Sequence, residues 1–118
     1  MAGEHSRLNH EDLDVYQAGI ESLAIVAMLV EEIPRGYSFL NDQLKRAALS
    51  IPLNIAEGYG KRSQADRCRF YDIARGSAHE CAAILDAVKV LRLADSDKLA
   101  RGKQLLCRVV SMLVKMAQ

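Results

Sequence analysis

Apolar residues recur along this chain at spacings of three and four, in four stretches parted by short breaks that carry Pro, Gly, Asp or Ser. That periodicity predicts four α-helices. The first should run from about Asp12 to Ile33. Leu13, Tyr16, Ile20, Leu23, Ala27 and Val30 form one track on it, and Val15, Ser22, Val26, Leu29 and Ile33 form a second beside it. A face this wide predicts two packing surfaces. Pro34, followed by Arg35 and Gly36, ends the helix, because proline lacks an amide donor and disfavours the helical conformation in the residue before it. The third helix, over about residues 64–92, starts at Ser63 with Asp66 three residues on, a variant capping box. Phe70, Ala74, Ser77, Cys81, Ile84, Val88 and Leu91 mark its seam, and Gly76 in its interior predicts close approach of another backbone. Asp95 or Ser96 caps the last helix, residues 96–116, which carries Leu99, Leu106, Val110 and Leu113 on one track and Leu105, Val109, Met112 and Met116 on another.

The second helix, over about residues 40–60 with Ser38 or Asn41 as its cap, organises the rest. Leu44, Ala48, Ile51 and Ile55 form its apolar stripe, while Arg46, Ser50, Leu53 and Glu57 lie opposite, flanked by Leu49 and Ala56. So little of that second side suits water that protein is expected to cover both sides. Pro52 inside the helix costs roughly 3 kcal/mol in an isolated helix, frees the Ala48 carbonyl and predicts a kink. Ser50 and Asn54 are the polar groups near enough to take up that carbonyl. Gly58 and Gly60 close the helix, with Lys61 and Arg62 where positive charge suits a helix carboxyl end.

Composition narrows the class. The 118 residues suit one domain with one core. Half are hydrophobic, yet there are only two Phe, four Tyr and no Trp, so Ala, Leu, Ile, Val and Met must fill the core, as in helix bundles. No apolar run reaches the ~20 residues of a membrane span, and the amino terminus is polar and acidic, so a cytoplasmic protein without membrane contact is expected. Cys68, Cys81 and Cys107 form no paired motif, which points to reduced thiols instead of a disulfide or zinc site. Residues 1–11 read as a flexible lead-in. His5, His10, Glu11 and Asp12 within and beside it fit no ligand spacing, so no metal or other cofactor is expected.

Short breaks between long helices predict an all-α, antiparallel up-down-up-down four-helix bundle with a Pro-kinked second helix. Pairing helices two and three about residues 61–63 sets Arg46 near Ser77 and within a turn of Glu80, Ser50 near Ala74, and Glu57 near Arg67. This register predicts a buried or half-buried Arg46–Glu80 ion pair, and Gly76 packed on Ala47 and Ser50.

The segment QLKRAALSIPLNIAEGYGKRS, followed by FYDIARGSAHE, resembles the signature of small four-helix-bundle proteins encoded in intervening sequences of bacterial 23S rRNA genes. Arg46-Ala47, Ser50-Ile51-Pro52, Asn54 to Gly58, and Ala74 to Glu80 carry the likeness. The resemblance implies a bundle that assembles into a homo-oligomeric ring, a homopentamer in relatives. It also implies kinship with accessory proteins of diversity-generating retroelements, which bind a reverse transcriptase and nucleic acid. No biochemical role comes with it.

Function is less legible. Glu57, Asp72 and Glu80 offer carboxylates and Arg75 a cation, but there is no triad or metal spacing, and His79 reads as a surface or interface residue, so a non-catalytic protein is expected. The string from Gly58 to Ser63 lacks the spacing and preceding strand of a phosphate loop. Net charge is +1, so any pull on RNA or DNA must come from local patches. Lys61, Arg62, Arg67 and Arg69 surround one turn, and Lys98, Arg101, Lys103 and Arg108 mark the last helix. Repeated around a ring, such clusters form a positive belt. Tyr59 and Tyr71 near the turn are placed either to stack on bases or to pack in the core or an interface. Arg46, Ser50, Asn54, Glu57, Arg75, Ser77 and Glu80 are expected to form a structural polar network. The alternative reading is a protein scaffold or accessory subunit, for example of a reverse transcriptase.

Overall fold

The computed structural model describes residues 7–118. Its helices are α1 (Asp14–Glu32), α2 (Ser38–Tyr59), α3 (Gln64–Val90) and α4 (Ser96–Met116), with short 3₁₀ turns at Asn9–Asp12 and Arg35–Tyr37. Each helix packs on the next and α4 returns to α1, while the backbones of the diagonal pairs stay apart. The result is an antiparallel four-helix bundle in up-down-up-down order.

The core follows the apolar stripes, with corrections that come from each helix facing two neighbours. On α2, Leu44, Ala48, Ile51 and Ile55 are all sealed from solvent. On α1 the second track is the buried one, with Val15, Ser22, Val26 and Leu29 joined by Ala18 and Ile25. Leu13, Tyr16, Leu23 and Val30 of the first track only flank the core, and Ile20 and Ala27 face outward. On α3 the buried face spans two tracks, adding Tyr71, Ala78 and Leu85 to Ala74, Cys81, Ile84 and Val88. Phe70 and Ser77 are half-buried and Leu91 is exposed.

Helix ends are set by local hydrogen bonds. The Ser63 hydroxyl accepts the Asp66 amide at 3.1 Å, and the Asp95 carboxylate accepts the Lys98 amide at 3.0 Å, so each fills a donor that the helix cannot satisfy itself. Neither Ser38 nor Asn41 caps α2. The preceding turn places Tyr37 at the cap, without a side-chain bond. At the end of α3 the Leu93 amide reaches the Val88 carbonyl and the Arg92 amide reaches that of Lys89, with Arg92 at φ 56°. This double closure stops the helix before residue 92 and is of the kind usually built on glycine. Residues 9–12 form the first 3₁₀ turn, where the His10 ring meets Tyr16 edge-on at 4.7 Å and the Gln17 side chain donates to the Glu11 carbonyl, while residues 1–6 of the expected lead-in lie outside the described residues. His5 lies outside the described residues.

Two expectations for the α2–α3 pair need correction. Close backbone approach occurs at Gly58, where a Cβ would lie 2.9 Å from the Cβ of Phe70 and 2.9 Å from Cε1 of Tyr71. Gly76 has nothing within 4 Å of the same point and does not pack on Ala47 or Ser50. The short connection draws the helices together at the turn, which puts the tight crossing at its foot. Pro52 is buried toward α1, where Gly19 leaves room for it and for Ile51. α2 runs unbroken through it. Asn54 donates its amide to the Ser50 carbonyl at 2.8 Å and the Ser50 hydroxyl at 2.9 Å, so it supports this turn through Ser50 and not through the Ala48 carbonyl.

Candidate nucleic-acid interface

At one end of the bundle the carboxyl end of α2 turns into α3 and gathers cations. Arg67, one turn into α3, donates from Nε to the Lys61 carbonyl at 2.7 Å, and its guanidinium lies 6.0 Å from the centre of the Tyr59 ring. Lys61 Nζ stands 5.1 Å from the centre of Phe70, and the Arg69 guanidinium stands 5.3 Å from it. Cations against ring faces are attracted by the ring quadrupole, which holds long side chains in place. Arg69 also pairs with Asp66 at 3.6 Å, an exposed contact of little energy. Among the described residues, no carboxylate comes within 4.0 Å of Lys61, Arg62 or Arg67. The expected approach of Glu57 to Arg67 does not yield an ion pair, because the Lys61 carbonyl holds that guanidinium. The turn therefore presents positive charge that no carboxylate among the described residues pairs with at Lys61, Arg62 or Arg67, at the negative end of the α2 dipole, where cations are favoured.

The aromatic residues at the turn do other work. Tyr71 is only 4% exposed, and burial pushes its phenol above the ordinary value, so it is a core residue. Tyr59 is half-buried beneath Arg67.

The second basic cluster divides. Lys98 bonds Glu32 of α1 at 2.6 Å, and Lys103 bonds Asp86 of α3 at 2.5 Å. Five residues on a helix turn through about 140°, so these two lysines lie on opposite flanks and are drawn to opposite neighbours. Arg101 and Arg108 stay exposed, with Lys115 continuing their stripe toward the end of the bundle that holds the α2–α3 turn. The Glu32 carboxylate also accepts the Asp95 amide at 2.9 Å. The Lys98 bond first, then the Asp95 amide, hold its pKa below the ordinary carboxylate value, and the same bond raises that of Lys98. Sequence spacing gave no sign of this clasp, whose partners lie more than sixty residues apart.

Between α2 and α3 runs a shallow groove of about 270 Å³ lined by Gln43, Arg46, Ala47, Ser50, Ser77 and Glu80. The hydroxyls of Ser50 and Ser77 meet at 2.8 Å, which places Ser50 level with Ser77 instead of Ala74, three residues beyond the expected register. Arg46 and Glu80 border this groove from the same side of the bundle, but both are exposed and form no ion pair. Of the expected polar network, the structure joins Ser50, Asn54 and Ser77. Arg75 instead approaches Asp72 at 4.0 Å, and Glu57 lines a separate hollow with Leu8, His10, Leu53 and Tyr59. Among the described residues no three His, Cys, Asp or Glu gather as metal ligands. Cys68, Cys81 and Cys107 are free thiols, and burial pushes that of Cys81 up to about 12.

The sequence profile of the 23S rRNA-intervening sequence protein family matches residues 11–115. The chain belongs to that family. In this chain the segments that carry the resemblance, Arg46 to Gly58 and Ala74 to Glu80, lie on α2 and α3 and meet through Ser50 and Ser77. A crystal structure of a protein of unknown function from the S23 ribosomal protein family of Bacteroides thetaiotaomicron VPI-5482 superposes with a TM-score of 0.80 at 18% identity, over 88% of this chain and 98% of that one. At that identity the likeness establishes the shared fold. A search of curated proteins finds no match.

Proposed function

We propose that this protein is a non-catalytic, cytoplasmic bundle that works as a homo-oligomeric ring and associates with RNA or DNA through its α2–α3 turns. The observation that carries the reading is the set Lys61, Arg62 and Arg67, the first and last held in place and all three unmatched by any carboxylate among the described residues. Three cations on one copy attract phosphate weakly. Repeated in several copies they act together, because each contact after the first is effectively intramolecular.

The ring draws support from α2. Leu49 and Leu53 stay 46% and 58% exposed on its outer side, and Ile73 of α3 is 47% exposed. Apolar surface of this kind favours coverage by protein, and copies of the same chain are the simplest cover. The family resemblance suggests five. The same surface also supports a second reading, in which it docks a different chain, such as a reverse transcriptase, and nucleic acid binding is incidental. No helix among the described residues is long and apolar enough to cross a membrane.

Replacing Lys61, Arg62, Arg67 and Arg69 together by Gln and measuring retention of RNA and DNA at low salt tests the reading. Loss of retention with the sedimentation of the assembly unchanged is the expected result. Equal retention by the variant, or none by the natural chain, favours the scaffold.

A further inference from the structure

Resting on that reading, we infer that the α2–α3 turn grips the phosphate backbone of double-stranded nucleic acid and does not read single strands by base stacking. Proteins that hold single strands without sequence preference combine a positive groove with open aromatic faces, each stacked base contributing about 1–3 kcal/mol. The turn has the charge but offers no fully exposed ring. Tyr71 is buried in the core, Phe70 packs against Gly58 with Lys61 and Arg69 both drawn to its ring, and Tyr59 lies under Arg67. Phe39, by contrast, is 64% exposed beside Tyr37, but it sits at the opposite end of α2. At 1.5 Å per residue that is roughly 30 Å from the cations, too far to serve the same short stretch of strand.

The rings therefore order the cations, and the cations meet the ligand. Such a surface favours the ligand of highest charge density. Duplex DNA carries one negative charge per about 1.7 Å of axis, and each neutralised duplex phosphate releases more bound counterion than a single-strand phosphate, about 0.9 against 0.7. With stacking removed, nothing at the turn offsets that advantage. Backbone contacts carry no base information, so sequence should matter little.

Fluorescence anisotropy at low salt, with one sequence offered as a single strand and as a duplex in both DNA and RNA, tests the inference on the full chain. The duplex should bind more tightly, and changing the bases should alter affinity by less than about threefold, since no base edge or face is contacted. Tyr59→Leu should leave the duplex-to-single-strand ratio unchanged, with helix content by circular dichroism confirming the fold. Single strands bound roughly tenfold more tightly than duplexes, with that preference lost in Tyr59→Leu, would overturn the inference while leaving nucleic-acid association intact. Failure of every probe to bind at low salt would instead overturn the underlying reading and this inference with it.

Discussion

Ser50 and Ser77 share a hydrogen bond of 2.8 Å across the α2–α3 interface, and Asn54 completes the chain by donating to Ser50 from within α2. Three polar side chains thus set the register of two helices whose other contacts are mostly non-directional. Ser50 is the hub. Ser50→Ala strips a partner from both Asn54 and Ser77 and should cost about 1–2 kcal/mol in denaturant unfolding, whereas Ser77→Ala, which leaves the Asn54–Ser50 bonds, should cost about half as much.

Two glycines should answer the same substitution with opposite signs. Gly58→Ala drives a methyl against the Cβ of Phe70, an atom fixed to the α3 backbone, and overpacking of this kind costs about 1–3 kcal/mol. Gly76→Ala meets nothing and gains helix propensity, so it should stabilise by up to about 1 kcal/mol. Thermal unfolding of both variants checks the pair. Destabilisation by Gly76→Ala would place a neighbouring copy against α3 at that point.

Arg92 holds a left-handed conformation, φ 56°, to let Leu93 close α3. A side chain there is strained by about 1–2 kcal/mol, and glycine is free of that strain at some cost in unfolded-chain entropy. Arg92→Gly should therefore raise stability by about 0.5–1 kcal/mol, read as a higher denaturation midpoint at unchanged slope.

The Glu32 clasp predicts a pH signature. Its carboxyl is depressed by Lys98 and by the Asp95 amide, so its contribution is present above the ordinary value of 4.5 and is lost as pH falls through the lower folded value. Lys98 is raised, so its contribution is present below 10.5 and is lost as pH rises through its higher folded value. Glu32→Gln should lower stability by a constant amount across the neutral range. That difference should shrink in acid, and a difference unchanged down to the lowest pH at which the chain stays folded would speak against the clasp.

Much of the fold was legible because local rules decide it. Ser63 and Asp95 cap as their spacing suggests, Pro34 ends α1, and the Leu44 to Ile55 stripe is the centre of the core. The errors lie where helices meet. A three-residue shift in register leaves every local pattern intact, yet it exchanges Ala74 for Ser77 opposite Ser50, and Arg46 and Glu80 border one groove as two exposed side chains without pairing. Lys98 and Lys103 of one basic cluster are drawn apart because α1 and α3 each supply a carboxylate. Which cations remain unmatched depends on contacts far apart in sequence, and periodicity carries no record of those.

The central claim, that turns from several copies hold nucleic acid by charge, is tested most directly by the slope of log affinity for a duplex against log salt. Each neutralised phosphate contributes about 0.9 to the slope, so the cations of one turn, Lys61, Arg62, Arg67 and Arg69, account for a steepness of about 4 at most. A slope clearly steeper than that, falling back on neutralisation of those residues, is the predicted result. Binding that ignores salt, or a slope within the reach of a single turn, would contradict it.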